Sequence, residues 1–131
     1  MGVIDVVAAV ICRKESILVA QRRNGDLHGK WEFPGGKVEP GEEPREALER
    51  EIFEEFSVRI RTEEFVASAE FFIGETPARL HAYFAEYISG DFDPADHQEV
   101  RWVGADELLR MDLAPPDVPV AERLAEILAG E

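Results

Sequence analysis

The sequence predicts a mixed α/β fold in which a few helices pack on a mixed sheet. Three observations carry this reading. β-Rich apolar runs recur along the chain between Gly, Pro and Asp turn signals. Helical periodicity is confined to a few segments interleaved with those runs. Neither an internal repeat nor an interdomain linker interrupts the 131 residues, a length that suits one domain with a single core.

Val3–Cys12 and Ile17–Arg22 read as strands joined in a hairpin by Arg13-Lys14-Glu15-Ser16. Asn24-Gly25-Asp26 opens a loop, and Trp31-Glu32-Phe33 is a short strand ending at the turn Pro34-Gly35-Gly36. A second turn falls at Pro40-Gly41, and a helix is predicted from Pro44 to Phe56. Proline suits the first helical position, while Glu42, Glu43 and Glu46 complement the positive end of the helix dipole. Strands follow at Ser57–Arg61, Glu64–Phe72, Arg79–Ser89 and Val100–Val103. A short helix at Ala105–Met111 and a last one over Pro119–Leu128 complete the chain, with Val120, Leu124, Ile127 and Leu128 on one face of the last.

Composition narrows the classes of function. Twenty-eight acidic residues against fourteen basic ones give a formal charge of −14, a field that repels polyanions and argues against nucleic-acid binding. A free triphosphate would be repelled too, so a nucleotide site needs a local basic patch or bound metal to reverse the sign. The apolar run Val3–Cys12, interrupted by Asp5, is too short to span a bilayer and lacks the flanks of a signal peptide. No membrane association is expected. The only cysteine, Cys12, excludes an intramolecular disulfide and a CxxC metal site, and reads as a buried strand residue. A cytoplasmic location is the default expectation.

The informative segment runs from Gly35 to Val58. With Glu51 at zero on a helical wheel, Glu54 falls near −60° and Glu55 near +40°, so three carboxylates share one arc. Leu48, Ile52, Phe56 and Phe53 occupy the arc expected to pack on the sheet. Like charges at these spacings repel, and a hard divalent cation removes the repulsion by taking oxygen ligands. A solvated acidic face is the competing reading of such a helix on its own. The preceding Phe33-Pro34-Gly35-Gly36-Lys37 lets backbone approach a ligand closely.

The loop and helix together resemble the Nudix box, G-x5-E-x7-R-E-U-x-E-E-x-G-U with U bulky and apolar. Gly36, Glu42, Arg50, Glu51, Ile52, Glu54, Glu55 and Val58 match in register. Ser57 stands where the pattern has glycine; the position follows the helix and calls for left-handed backbone, at a cost of about 1 kcal/mol for serine. Val6-Val7-Ala8-Ala9-Val10, Ala20-Gln21-Arg22-Arg23, Trp31 through Lys37, and Leu113-Ala114-Pro115-Pro116-Asp117-Val118-Pro119 extend the resemblance to the MutT-like branch. That branch includes 8-oxo-dGTP diphosphatases and CTP pyrophosphohydrolases.

The resemblance implies a Nudix-type α/β/α sandwich, and hydrolysis of a nucleoside triphosphate to monophosphate and pyrophosphate in nucleotide-pool sanitation. It implies Mg²⁺, with Mn²⁺ as the alternative, held by the Gly35 carbonyl, Glu51, Glu54 and Glu55. Arg50 would pair with Glu42 to brace the loop. Arg23 matches a phosphate-contacting position and Lys37 joins it as a substrate contact. Asp96, six residues before Trp102, matches the position of a further acid that is glutamate in relatives; it or Glu51 would be the general base. His97 beside it reads as an exposed loop residue. For the base, Phe33 is a candidate wall, Asp117 a candidate hydrogen-bonding group, and Arg79 a weaker candidate; core packing for Phe33 and helix capping for Asp117 compete with those roles. The alternatives to an 8-oxo-dGTP diphosphatase are a (d)CTP or 5-methyl-dCTP pyrophosphohydrolase, an ADP-ribose or dinucleoside polyphosphate hydrolase, and a catalytically dead nucleotide-binding regulator. A small-molecule nucleotide is the only partner implied, and the chain is expected to be a monomer or weak dimer.

Overall fold

A computed structural model describes residues 2–23, 25, 27–92 and 97–130. In chain order the elements are β1 (Ile4–Arg13), β2 (Ser16–Arg22), β3 (Trp31–Glu32), β4 (Gly35–Lys37), α1 (Pro44–Phe56), β5 (Arg59–Ile73), β6 (Thr76–Ser89), β7 (His97–Val103), α2 (Ala105–Leu108) and α3 (Val118–Ala129). A 3-10 turn at Pro115–Asp117 leads into α3.

Strand β1 organises the sheet. Its first residues pair parallel with β6 on one side and antiparallel with β4 on the other. Its last residues turn through Lys14, which has φ 58°, into β2. Strand β2 then carries β3 and β7, and β6 carries β5, so the sheet is mixed as expected. Alternate residues of β1 feed two cores, because successive side chains leave opposite faces of a strand. Val7, Ala9 and Ile11 pack with Leu48, Ile52 and Phe56 of α1. Ala8 and Val10 pack with Leu108 of α2 and Val120 and Leu124 of α3. Both faces are covered by helices, which is the α/β/α arrangement.

The helix over Pro44–Phe56 stands at the expected bounds. Pro44 starts it, and the Glu46 carboxylate accepts the Glu43 N–H at 3.0 Å, satisfying an orphan donor of the first turn. It stops at Ser57, whose φ of 58° is left-handed as the motif's glycine position requires.

Several expectations need correction. Gly35 and Gly36, read as part of the turn Pro34-Gly35-Gly36, lie in the strand Gly35–Lys37, because β1 offers it a partner. The two strands expected at Ser57–Arg61 and Glu64–Phe72 are one strand, whose register against β6 shifts between Thr62 and Ala67; the bulges absorb the break in alternation. Strand β7 begins at His97, and α2 ends at Leu108. Phe53 is not in the core; it is 46 % exposed, with the Arg59 guanidinium 4.6 Å from its ring. Cys12 is half-buried; burial, and then the Glu63 charge, push its thiol pKa up. No helix among the described residues is long and apolar enough to cross a membrane.

Candidate functional site

The acidic helix meets the glycine strand at one close approach. A Cβ on Gly36 would lie 1.6 Å from Glu51 Oε2, and one on Gly35 would lie 1.8 Å from the Val7 carbonyl oxygen. Both glycines are therefore required by proximity: Gly35 lies flat on β1, and Gly36 makes room for a carboxylate. The Glu51 carboxyl is pushed above its ordinary range by burial, drawn back by Arg50 and pushed up again by Glu54.

Arg50 is the hub of the cluster. Its Nε and Nη2 donate to the two Glu42 oxygens at 2.7 and 3.0 Å, and Nη2 also donates to the Lys37 carbonyl at 3.1 Å. The bidentate pair fastens the loop before α1 to the helix, as the resemblance implies, and holds the Glu42 carboxyl below its usual range. The same guanidinium reaches further than expected: Nη1 lies 3.3 Å from Glu51 Oε1 and 3.0 Å from Glu54 Oε1.

Glu51 lies against Gly36, Glu55 opens on the cleft described below, and the Glu54 side chain is 59 % exposed. Among the described residues, no group of three or more His, Cys, Asp or Glu side chains is poised as it stands to hold a metal ion. Arg50 draws Glu51 and Glu54 to itself instead. The donor set nevertheless fits a hard divalent cation. Every side-chain donor is a carboxylate oxygen, and the Glu51 oxygen occupies a space that a Cβ on Gly36 would fill.

A cleft of about 920 Å³ opens beside this strand and helix. Gly35, Gly36, Lys37, Glu55 and Arg23 line it together with Phe33 and Asp117. The structure thus brings both ends of the expected substrate site into one depression. Phe33 is buried at 3 % exposure, belongs to the α3-side core and also lines the cleft.

Asp117 is 5 % exposed. Its Oδ2 accepts the Phe33 amide N–H at 3.3 Å, and it makes no side-chain capping bond to α3. The helix-cap reading is thereby set aside. Burial raises the Asp117 pKa well above the ordinary carboxylate value, and the Glu32 charge adds to the rise; the Phe33 amide and Arg22 oppose it. A carboxyl that holds its proton donates as well as accepts.

Among the described residues, Glu51 and Glu54 border the helix without lining the cleft, and Arg79 stands apart from it. Arg79 sits directly opposite Glu70 in the β5–β6 register, with Nη2 3.7 Å from its carboxylate, and lines a separate shallow depression beside Val3 and Phe72. Asp96 lies outside the described residues. Other lining residues were missed: Arg22 and Glu32, whose side chains pair at 2.9 Å, and Phe71 to Gly74 at the β5–β6 turn. A lone acid in the apolar run Trp31-Glu32-Phe33-Pro34 was the available signal for Glu32. Two aromatics before a glycine turn were the signal for the hairpin tip.

An α/β/α sandwich with an arginine-braced glutamate helix against a glycine strand defines a phosphoanhydride hydrolase of one class. The NUDIX domain family matches residues 3–124, and the chain belongs to that family of hydrolases. It is 40 % identical over 131 residues to the CTP pyrophosphohydrolase of Escherichia coli, covering 99 % of this chain and 97 % of the relative. It is 36 % identical over 135 residues to a Mycobacterium tuberculosis protein named "Putative 8-oxo-dGTP diphosphatase 2", covering 95 % and 90 %. The solution structure of the E. coli ORF135 protein superposes with a TM-score of 0.91 at 39 % identity, covering 100 % of this chain and 94 % of that one.

Proposed function

We propose that this Nudix hydrolase cleaves a nucleoside triphosphate to the monophosphate and pyrophosphate, with 8-oxo-dGTP as substrate and sanitation of the cytoplasmic nucleotide pool as its role. The observation that carries the reading is one cleft that joins Glu55, Gly36 and Lys37 of the helix and glycine strand to Phe33 and Asp117. A nucleotide has the same polarity, with an anionic chain at one end and a flat hydrogen-bonding base at the other.

Glu51, Glu54, Glu55 and the Gly35 carbonyl would hold Mg²⁺, with Mn²⁺ as the alternative. A divalent cation there supplies Lewis acidity toward phosphate oxygens and a nucleophilic water at neutral pH. Arg50, through Glu42 and the Lys37 carbonyl, keeps loop and helix in fixed relation. Arg23 and Lys37 bring positive charge to the developing pyrophosphate inside an acidic protein. Glu51 or Asp96 takes the proton from the attacking water. Among the described residues lining the cleft there is no Ser, Cys, Thr or His to act as a covalent nucleophile.

A (d)CTP pyrophosphohydrolase is the second reading, and a specific observation favours it. A buried Asp117 that keeps its proton can donate to cytosine N3, which an aspartate anion would repel. The similarity to a CTP pyrophosphohydrolase supports the same reading. Anion-exchange separation of products from 8-oxo-dGTP, dCTP and dGTP incubated with Mg²⁺ tests the proposal. The expected products are monophosphate and pyrophosphate; stepwise release of orthophosphate through the diphosphate would overturn it.

A further inference from the structure

Arg22 closes β2 and Glu32 closes β3, and neither belongs to the metal-binding motif. The two strands pair with Ala20 opposite Glu32 and Gln21 opposite Trp31, so Arg22 is a diagonal neighbour of Glu32. Its guanidinium spans that diagonal, with Nη1 2.9 Å from Glu32 Oε1. The backbone that presents it is fixed on both sides. The Arg22 N–H donates to the Lys30 carbonyl at 2.9 Å, and the Arg22 carbonyl accepts the Gly29 N–H at 2.9 Å. Arg22, Glu32 and Asp117 all line the cleft.

The cleft therefore holds two carboxyls at its base end and one guanidinium bound to only one of them. Two carboxyls facing one cleft can be set in more than one arrangement, and their placement decides which base atoms they meet. An arginine bound to one member removes the ambiguity. We propose that Arg22 is a positioning residue for base selection, acting through Glu32: the ion pair fixes the Glu32 carboxyl in one place in the cleft beside Asp117, where the two together meet the edge of the base. The inference rests on the reading that the cleft takes a nucleoside triphosphate.

The surroundings of Asp117 agree with this arrangement. It is the more buried carboxyl, at 5 % exposure, and it is faced by Glu32 from β3, Arg22 from β2 and the Phe33 amide. The other charged side chains lining the cleft are Arg23, Lys37 and Glu55. A carboxyl fixed by arginine beside a second carboxyl whose pKa is raised by burial can meet a base edge presenting a donor next to an acceptor. Cytosine has the N4 amino group beside N3. The oxidised purine has N7–H beside O6, where guanine has two acceptors. A buried polar group left unpaired is the feature that discriminates strongly between such bases.

The test compares kcat/KM for dCTP, 8-oxo-dGTP and dGTP in wild type, Arg22→Gln, Arg22→Lys and Glu32→Gln with Mg²⁺, across pH 5.5 to about 9, a span chosen to bracket a shifted carboxyl. Arg22→Gln is expected to narrow the preference over dGTP by about tenfold or more, through KM more than kcat, and to move the pH profile of the ratio. Arg22→Lys, which keeps the charge, should retain most of the preference. Glu32→Gln should lose it, and adding Arg22→Gln to that variant should lose nothing more. Equal losses on all three substrates, or a preference that survives both Arg22→Gln and Glu32→Gln, overturn the inference while leaving the functional reading in place. A wild type that cleaves none of the three overturns that reading, and the inference falls with it. Should Arg22→Gln fail to fold, the Arg22→Lys and Glu32→Gln ratios decide alone.

Discussion

A carboxyl whose pKa is raised by burial, as that of Asp117 is, links the stability of the protein to pH. Its folded pKa is raised, so the stability tied to its neutral form is complete below the ordinary value of 3.8 and is lost as pH rises through the folded value. Asp117→Asn keeps an acceptor for the Phe33 amide and cannot ionise. Melting curves of the two proteins should diverge as pH rises, wild type losing ground to the variant; parallel curves would mean that burial does not perturb Asp117. Glu54 poses the opposite case. It is exposed and paired with Arg50, so Glu54→Gln should change metal-free stability by no more than about 0.5 kcal/mol. The same substitution should lower kcat about a hundredfold if Glu54 holds a cation, and near wild-type turnover in saturating Mg²⁺ would remove it from the ligand set. The placing of these residues on one helix was legible because they lie in a register that one-dimensional spacing displays. Arg22 and Glu32 were not, since their meeting depends on a diagonal across two strands. Arg79 was misread for a related reason: the β5–β6 register that sets it opposite Glu70 is not written in local sequence.

Among elements, α1 was readable to the residue, since proline at its start, acids in its first turn and a left-handed stop are local signals. Strand β4 was invisible: two glycines have no strand preference of their own, and only β1 makes them one. Strand β5 was split because its bulges break the alternation that marks a strand. The neighbouring glycines of β4 separate architecture from chemistry. Gly35→Ala drives its Cβ into the Val7 carbonyl, a backbone atom that cannot move aside, and should cost about 3 kcal/mol. Gly36→Ala meets the far end of the Glu51 side chain, which can swing away. It should melt within a few degrees of wild type yet lose at least about tenfold in kcat, because the carboxylate leaves its place. Thermal melts beside steady-state kinetics check both, and equal stability loss in the two variants would refute the distinction.

At the scale of the whole molecule, a charge of −14 is carried by a chain whose sheet has both faces buried, so the repulsion is spread over its surface. Adding salt up to about 0.15 M should raise the melting temperature by screening that repulsion. A fall would mean that the surface ion pairs, such as Lys30 with Asp112, outweigh the net charge. The fold class was legible from strand and helix pattern alone. What lay beyond reading was the pairing of β1 with β6, which sets Ile4 beside Ala78 and Ile11 beside Ala85. That pairing has a consequence during synthesis. Everything the motif contains has left the ribosome by Val58, yet the strand on which Gly35 and Gly36 lie has no neighbour on its other side until β6 emerges. Closing so long a loop is slow compared with forming a helix. A nascent chain halted at Ile73 should therefore remain open to protease, and protection should arrive in one step once Ser89 is clear of the exit tunnel.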